Sequence, residues 1–132
     1  MKWTIAKQES PAYFRVTLSG RLDLVGFDQM LGELVVAIKD AEWPPILLDE
    51  RQRNVGQTTT ERLEEAVNSL IVRNPAFAYC RIAILYNPGG DYERGREFKA
   101  IASPASYAAI EVFDNEANAM KWLLEQKSMS EP

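Results

Sequence analysis

The 132-residue chain contains no histidine. That removes the usual general base at neutral pH, the commonest metal ligand and every Ser-His or Cys-His nucleophile pair at once. Cys80 is the only cysteine, so no disulfide can form within the chain, and its place just before an apolar run reads as a small buried hydrophobe. Glycine and proline number seven each, too few for a disordered or fibrous chain. No apolar run approaches the roughly 18 residues of a membrane span, and Met1-Lys2-Trp3-Thr4-Ile5 lacks a signal peptide's apolar stretch. A cytoplasmic protein without membrane insertion is the expectation. Positive charge is also short: 15 Lys and Arg against 19 Asp and Glu leave a net charge of -4, the wrong sign for a nucleic-acid binder. Arg51 and Arg53 are expected to sit solvated on a loop.

What is present is amphipathic pattern. Trp3 to Ala6 and Tyr13 to Leu18 alternate in period two, with Phe14, Val16 and Leu18 on one face and Arg15, Thr17 and Ser19 on the other. Joined through Glu9-Ser10-Pro11-Ala12, they read as an antiparallel hairpin. After Asp23, an N-cap candidate, apolar residues recur at helical spacing from Leu24 to Ile38, and Trp43-Pro44-Pro45 stops that helix. Ile46-Leu47-Leu48, ended by Asp49-Glu50-Arg51, suits a strand covered on both faces. Thr58 and Glu61 form a capping-box pattern ahead of a second helix that ends near Asn74-Pro75. Arg81 to Tyr86 repeats the buried-strand pattern and breaks at Asn87-Pro88-Gly89-Gly90. A third helix runs from about Asp91 to Ala102, a strand from Ala109 to Phe113, and a last helix starts at a cap on Asp114 or Asn115. The order ββαβαβαβα predicts one α/β domain over residues 1–126, with a mixed sheet parallel in its later part and a polar tail at 127–132.

Four segments carry a resemblance: Val16-Thr17-Leu18-Ser19-Gly20-Arg21-Leu22-Asp23, Ile46-Leu47-Leu48-Asp49-Glu50-Arg51, Arg81-Ile82-Ala83-Ile84-Leu85, and Val112-Phe113-Asp114 with Ala119-Met120-Lys121-Trp122-Leu123. Together they resemble the SpoIIAA-like proteins of the STAS group, named for sulfate transporters and anti-sigma factor antagonists. The resemblance implies a mixed sheet with helices mainly on one face and a role in binding rather than catalysis. In anti-sigma factor antagonists an Asp-Ser pair at the start of the helix after the central strand is phosphorylated; here Gln57 and Thr58 stand at those positions, so the aspartate is missing. Thr58 and Thr59 are the phosphorylation candidates the resemblance implies, while the plain structural role of Thr58 is a helix cap.

Asp49, Glu50 and Arg51 are expected at the carboxyl end of a central strand, where open α/β sheets place their ligand crevice. The loop after the next strand would open on the same edge, so Asp49, Arg51, Arg53, Asn87, Gly89, Gly90 and Tyr92 could frame one site. The simpler reading is local capping by Asp49, solvated arginines and a chain turn at Gly89-Gly90. No phosphate loop, convergent carboxylate pair or metal-ligand spacing is found, so no cofactor and no catalytic residue is assigned. The leading expectation is a non-enzymatic domain that binds a protein partner, or itself, through the loop after the central strand and the following helix start. The alternatives are a carrier of a small apolar or anionic ligand, in a pocket lined by Phe98, Tyr107, Phe113 and Met120, and an enzyme using Asp49, Arg51 and Tyr92. Trp3, Trp43 and Trp122 are expected to be lids over the core, or else, for the first two, a partner surface.

Overall fold

The computed structural model describes the whole chain apart from residues 10, 22, 42, 43, 54, 104–108 and 130–132, with side chains described as far as Glu125. The expectations for Trp43 and Tyr107 lie outside the described residues. Strand β1 (Lys2–Gln8) pairs antiparallel with β2 (Tyr13–Gly20), as the alternating patterns require. Strands β3 (Ile46–Arg53), β4 (Arg81–Leu85) and β5 (Ala109–Phe113) follow in parallel, and the sheet order is β1-β2-β3-β4-β5. β3 is therefore the central strand, and it continues through the segment expected to end it.

The connections explain the layering. Each parallel step moves one strand over in the same direction, so crossovers of one hand place every connecting helix on one face. Helices α1 (Leu24–Ile38), α2 (Thr60–Val67) and α3 (Gly90–Ala102) share that face with Val16, Leu18, Leu48 and Ile84 in the main core. Helix α4 (Glu116–Met129) follows the last strand with no crossover to make, and it covers the opposite face through Ala119 and Leu123 against Leu47, Ala83 and Leu85. Both faces of β3 and β4 are thus dry, which is why their sequences run apolar without alternation. Three helices on one face and one on the other match the layering that the resemblance implies.

Local chemistry fixes the ends of these elements. Asp23 caps α1 by accepting from the Val25 amide at 3.1 Å, and Asn115 accepts from the Asn118 amide at 3.0 Å at the start of α4. Beyond Val67 the helix widens into a π-type turn, Asn68–Val72, and a 3-10 turn, Pro75–Tyr79, leads into β4. Trp3 packs at the margin of the main core with its indole N–H donating to Glu33, and Trp122 lies under the Arg81 guanidinium, 3.7 Å from its ring centre. Both are lids. Phe113 and Met120 border the α4 side while Phe98 is buried on the other, so no common pocket contains them. Cys80 is buried, and burial pushes its thiol up to about 11.

Gly95, inside α3, has a role no other residue could fill. A Cβ there would stand 2.2 Å from the buried Tyr86 ring, so the ring occupies the space that a side chain would need. Gly95→Ala is expected to lower stability by about 1–3 kcal/mol through overpacking, read as a lower urea midpoint with unchanged m-value; an unchanged midpoint would show that the ring can move aside.

Candidate functional site

The carboxyl end of β3 holds the densest set of polar side chains, and a shift in strand register arranges them. Thr17 of β2 pairs with Asp49 but Ser19 pairs with Gln52, so β3 carries one extra residue between those points. In a regular strand, residues three apart face opposite sides. A bulge reverses the alternation, and Glu50 and Arg53 consequently share the face covered by α1, α2 and α3. Asp49 and Arg51 turn to the α4 side instead, where Glu116 meets them.

On the α4 side two carboxylates and two guanidiniums close a neutral cluster. Arg51 donates from Nε and Nη2 to the two oxygens of Asp49 at 3.0 and 2.9 Å, and its amide adds a third bond at 3.1 Å. Arg15 bridges Asp49 at 2.9 Å and Glu116 at 3.0 Å, and Arg51 also reaches Glu116 at 2.8 Å. Burial raises the cost of charge on Asp49, but the bonds from Arg51 and Arg15 outweigh it and hold the carboxyl below its usual range. Hydrogen bonding from Arg15 likewise draws Glu116 down. For Arg15, burial opposes the charge, and hydrogen bonds with Glu116, Tyr13 and Asp49 together with the Glu116 charge reverse that effect, so it stays charged. The cluster ties the first turn of α4 to β2 and β3. It leaves Asp49 no proton to exchange at neutral pH.

On the opposite side Glu50 and Arg53 form a buried fork, with Arg53 Nε 3.0 Å from Glu50 Oε1 and Nη2 on the other oxygen. Both residues are nine-tenths buried or more. Beside them lies Tyr86, whose burial, reinforced by the Glu50 charge, raises its hydroxyl well above the ordinary value. These groups border a cavity of about 20 Å³ walled by Phe27, Leu63 and Phe98. That volume admits about one water molecule.

The exposed rim above this strand end is stitched together by three bonds between segments. Asn87 Nδ2 donates to the Arg51 carbonyl at 2.7 Å, the Gly56 amide donates to Asp91 at 2.8 Å, and the Thr60 hydroxyl donates to Glu97 at 2.6 Å. Gly89 precedes α3 as its N-cap with φ 91°, a conformation glycine adopts at no steric cost, and neither Gly89 nor Gly90 meets a neighbour on its open side. Gln57, Thr59, Thr60, Gly89 and Gly90 are exposed, and Tyr92 is half-buried against the main core.

Several expectations change here. Arg51 and Arg53 belong to a strand rather than a loop, and Arg53 is enclosed with its counter-ion instead of solvated. The α2 cap is Thr59, whose hydroxyl accepts from the Arg62 amide at 3.2 Å; Thr58 closes a turn with Val55 and is buried beside the cavity. Of the two candidate phosphorylation positions, only Thr59 presents its side chain to solvent. The single frame drawn around Asp49, Arg51, Arg53, Asn87, Gly89, Gly90 and Tyr92 divides into the three settings described, because the sheet separates Asp49 from Arg53. Arg15, Glu116 and Tyr86 lie outside the sequence-predicted set, with only the polar-face placement of Arg15 on β2 as a hint, while Glu50 is placed by sequence at this strand end but beside Asp49 rather than paired with Arg53. Among the described residues no group of three or more His, Cys, Asp or Glu is placed to hold a metal, and no helix is long and apolar enough to cross a membrane.

No protein-family model and no curated protein matches the chain. Among solved structures, the chain is similar to an uncharacterised protein of the DUF3478 family from Shewanella loihica PV-4, described as having a SpoIIAA-like fold. The two share 18% sequence identity with a TM-score of 0.59 over 92% of each chain. The fold is SpoIIAA-like, as the sequence resemblance implies.

Two predictions separate the polar clusters. Arg53→Met strands Glu50 without a partner and is expected to cost about 3–5 kcal/mol, whereas Glu50→Leu with Arg53→Met recovers most of the loss; equal losses in single and double variants would refute the isolated-pair account. For Asp49, a pKa lowered on folding contributes stability that is full above its ordinary value of 3.8 and fades as pH falls through the folded value. Asp49→Asn is therefore expected to cost about 1.5–3 kcal/mol at pH 7 and to flatten the fall in melting temperature below about pH 4. Parallel acid limbs in the two proteins would contradict it.

Proposed function

We propose that the chain is a non-enzymatic STAS-like interaction domain whose rim at the carboxyl end of β3, centred on Gln57 and Thr59 and bordered by Gly89 and Gly90, docks a protein partner. The observation that carries this reading is the stitching of the rim: three bonds hold its segments in place before any partner arrives. A preordered surface loses little conformational freedom on binding, so more of its contact energy appears as affinity. The groups beneath it favour binding over chemistry. Asp49, Arg51, Glu50 and Arg53 each spend their hydrogen-bonding capacity on one another, and a nucleophile or base so engaged is a poor reagent.

No observation favours the carrier reading to the same degree, since a cavity near 20 Å³ is far below the several hundred Å³ typical of a small-molecule site. Phosphorylation at Thr59 would act on the same rim, adding charge at the start of α2 where helix amides favour it. The cytoplasm, where a lone reduced thiol such as Cys80 persists, is the proposed location.

Site-specific photocrosslinking in cells of the native host tests the rim. A crosslinker at Gln57 is expected to give one dominant protein adduct that a crosslinker at Lys7 on the edge strand does not give. Asp91→Ala, which removes the acceptor for the Gly56 amide, is expected to reduce that adduct several-fold while the circular dichroism spectrum stays the same. Identical adducts from both positions, or none from Gln57, would overturn the assignment.

A further inference from the structure

Helix α1 exposes an uncharged stripe along one side. Val25 and Val36 stand about three turns apart on the same side of the helix, and they are 68% and 71% exposed. Gln29 and Gly32 lie between them, both exposed, and the open side of Gly32 meets nothing within 4 Å. The acidic residues that flank the stripe are held off it: Glu33 accepts from Trp3, and Asp28 accepts from Arg73. At the two ends of the stripe stand Arg21 and Asp23 on one side and Lys39 and Asp40 on the other. None of these four takes part in an ion pair among the described residues.

We infer that this stripe is the contact surface for a second copy of the chain, with the two α1 helices packed antiparallel about a two-fold axis passing between Gln29 and Gly32. The stripe is complementary to its own reverse. A two-fold contact brings the same patch of each copy together, residue i against j and j against i. In that arrangement Val25 meets the second copy's Val36, and Gln29 meets the gap over the second copy's Gly32, which lets the helix axes approach towards the near end of the usual 8–10 Å range. The end charges follow the same operation: Arg21 comes opposite the second copy's Asp40, and Asp23 opposite the second copy's Lys39. Each of these pairs joins opposite charges, and the two-fold axis repeats both. One helix pair buries less than the roughly 1,200 Å² of a standard interface, so the dimer is reversible, with a dissociation constant on the order of 10–100 µM. None of the residues involved belongs to the rim around Gln57, so the two surfaces can be occupied together or fail separately.

Sedimentation velocity of the full chain from about 10 µM to 1 mM measures the association. Val36→Glu is expected to weaken it at least tenfold while leaving the melting temperature within a degree or two, because the side chain is mostly in solvent. Asp40→Arg, which sets like charges against the second copy's Arg21, is expected to weaken it several-fold, and adding Arg21→Asp is expected to restore it. A nitroxide attached at Gln29→Cys, in a Cys80→Ala background, is expected to report an inter-label distance below about 20 Å in the dimer. A monomer at 1 mM, unchanged association in Val36→Glu, or a long inter-label distance that places the contact on edge strand β1 or on the rim would each overturn the inference.

Discussion

Because β3 lies at the centre of a sheet covered on both faces, a charge near its carboxyl end can survive only if its counter-ion is enclosed with it. Four of the last five residues of the strand are Asp49, Glu50, Arg51 and Arg53, two of each sign. A regular strand would place Asp49, Arg51 and Arg53 on one side and leave Glu50 alone on the other, buried without a partner. The register shift against β2 removes that imbalance by carrying Arg53 across to Glu50. Asp49 and Arg51 remain together, and Arg15 and Glu116 complete their charge balance. The enclosure of the cavity by Glu50 and Arg53 depends on that redistribution.

The fold was legible because its signals are local. Period-two alternation in β1 and β2, unbroken apolar runs in β3 and β4, and caps at Asp23 and Asn115 each act within a few residues, and the element order follows from them. The site was only partly legible because its interactions are not local. Arg15 and Glu116 meet from opposite ends of the chain, through a strand register that no short window specifies. The shift in β3 has no glycine or other local mark, so Arg53 reads as a loop arginine. At Thr58-Thr59-Thr60 three equivalent residues compete for one cap, and Glu61 favours the first by pattern. The choice of Thr59 is made by the turn that Thr58 closes with Val55, which depends on where β3 ends.

A SpoIIAA-like architecture at 18% identity fixes the arrangement of the sheet and helices and leaves function to the surface. Of the two positions that the sequence resemblance sets against the phosphorylated pair of the anti-sigma factor antagonists, Gln57 is exposed and Thr58 is buried. If Thr59 is modified, the group is added to the oxygen that caps α2, so the modification and the start of the helix are coupled.

Two of the contacts that seat helix α3 lie one turn apart: Asp91 grips the Gly56 amide, and Gly95 lies flush against the Tyr86 ring. Rotation about the helix axis would break the first contact and drive a side chain into the second, and sliding along the axis would do both. The helix therefore has one seat rather than a range of nearby ones. The edge it carries behaves as a fixed plate, so a partner docking there as proposed must match a shape already set.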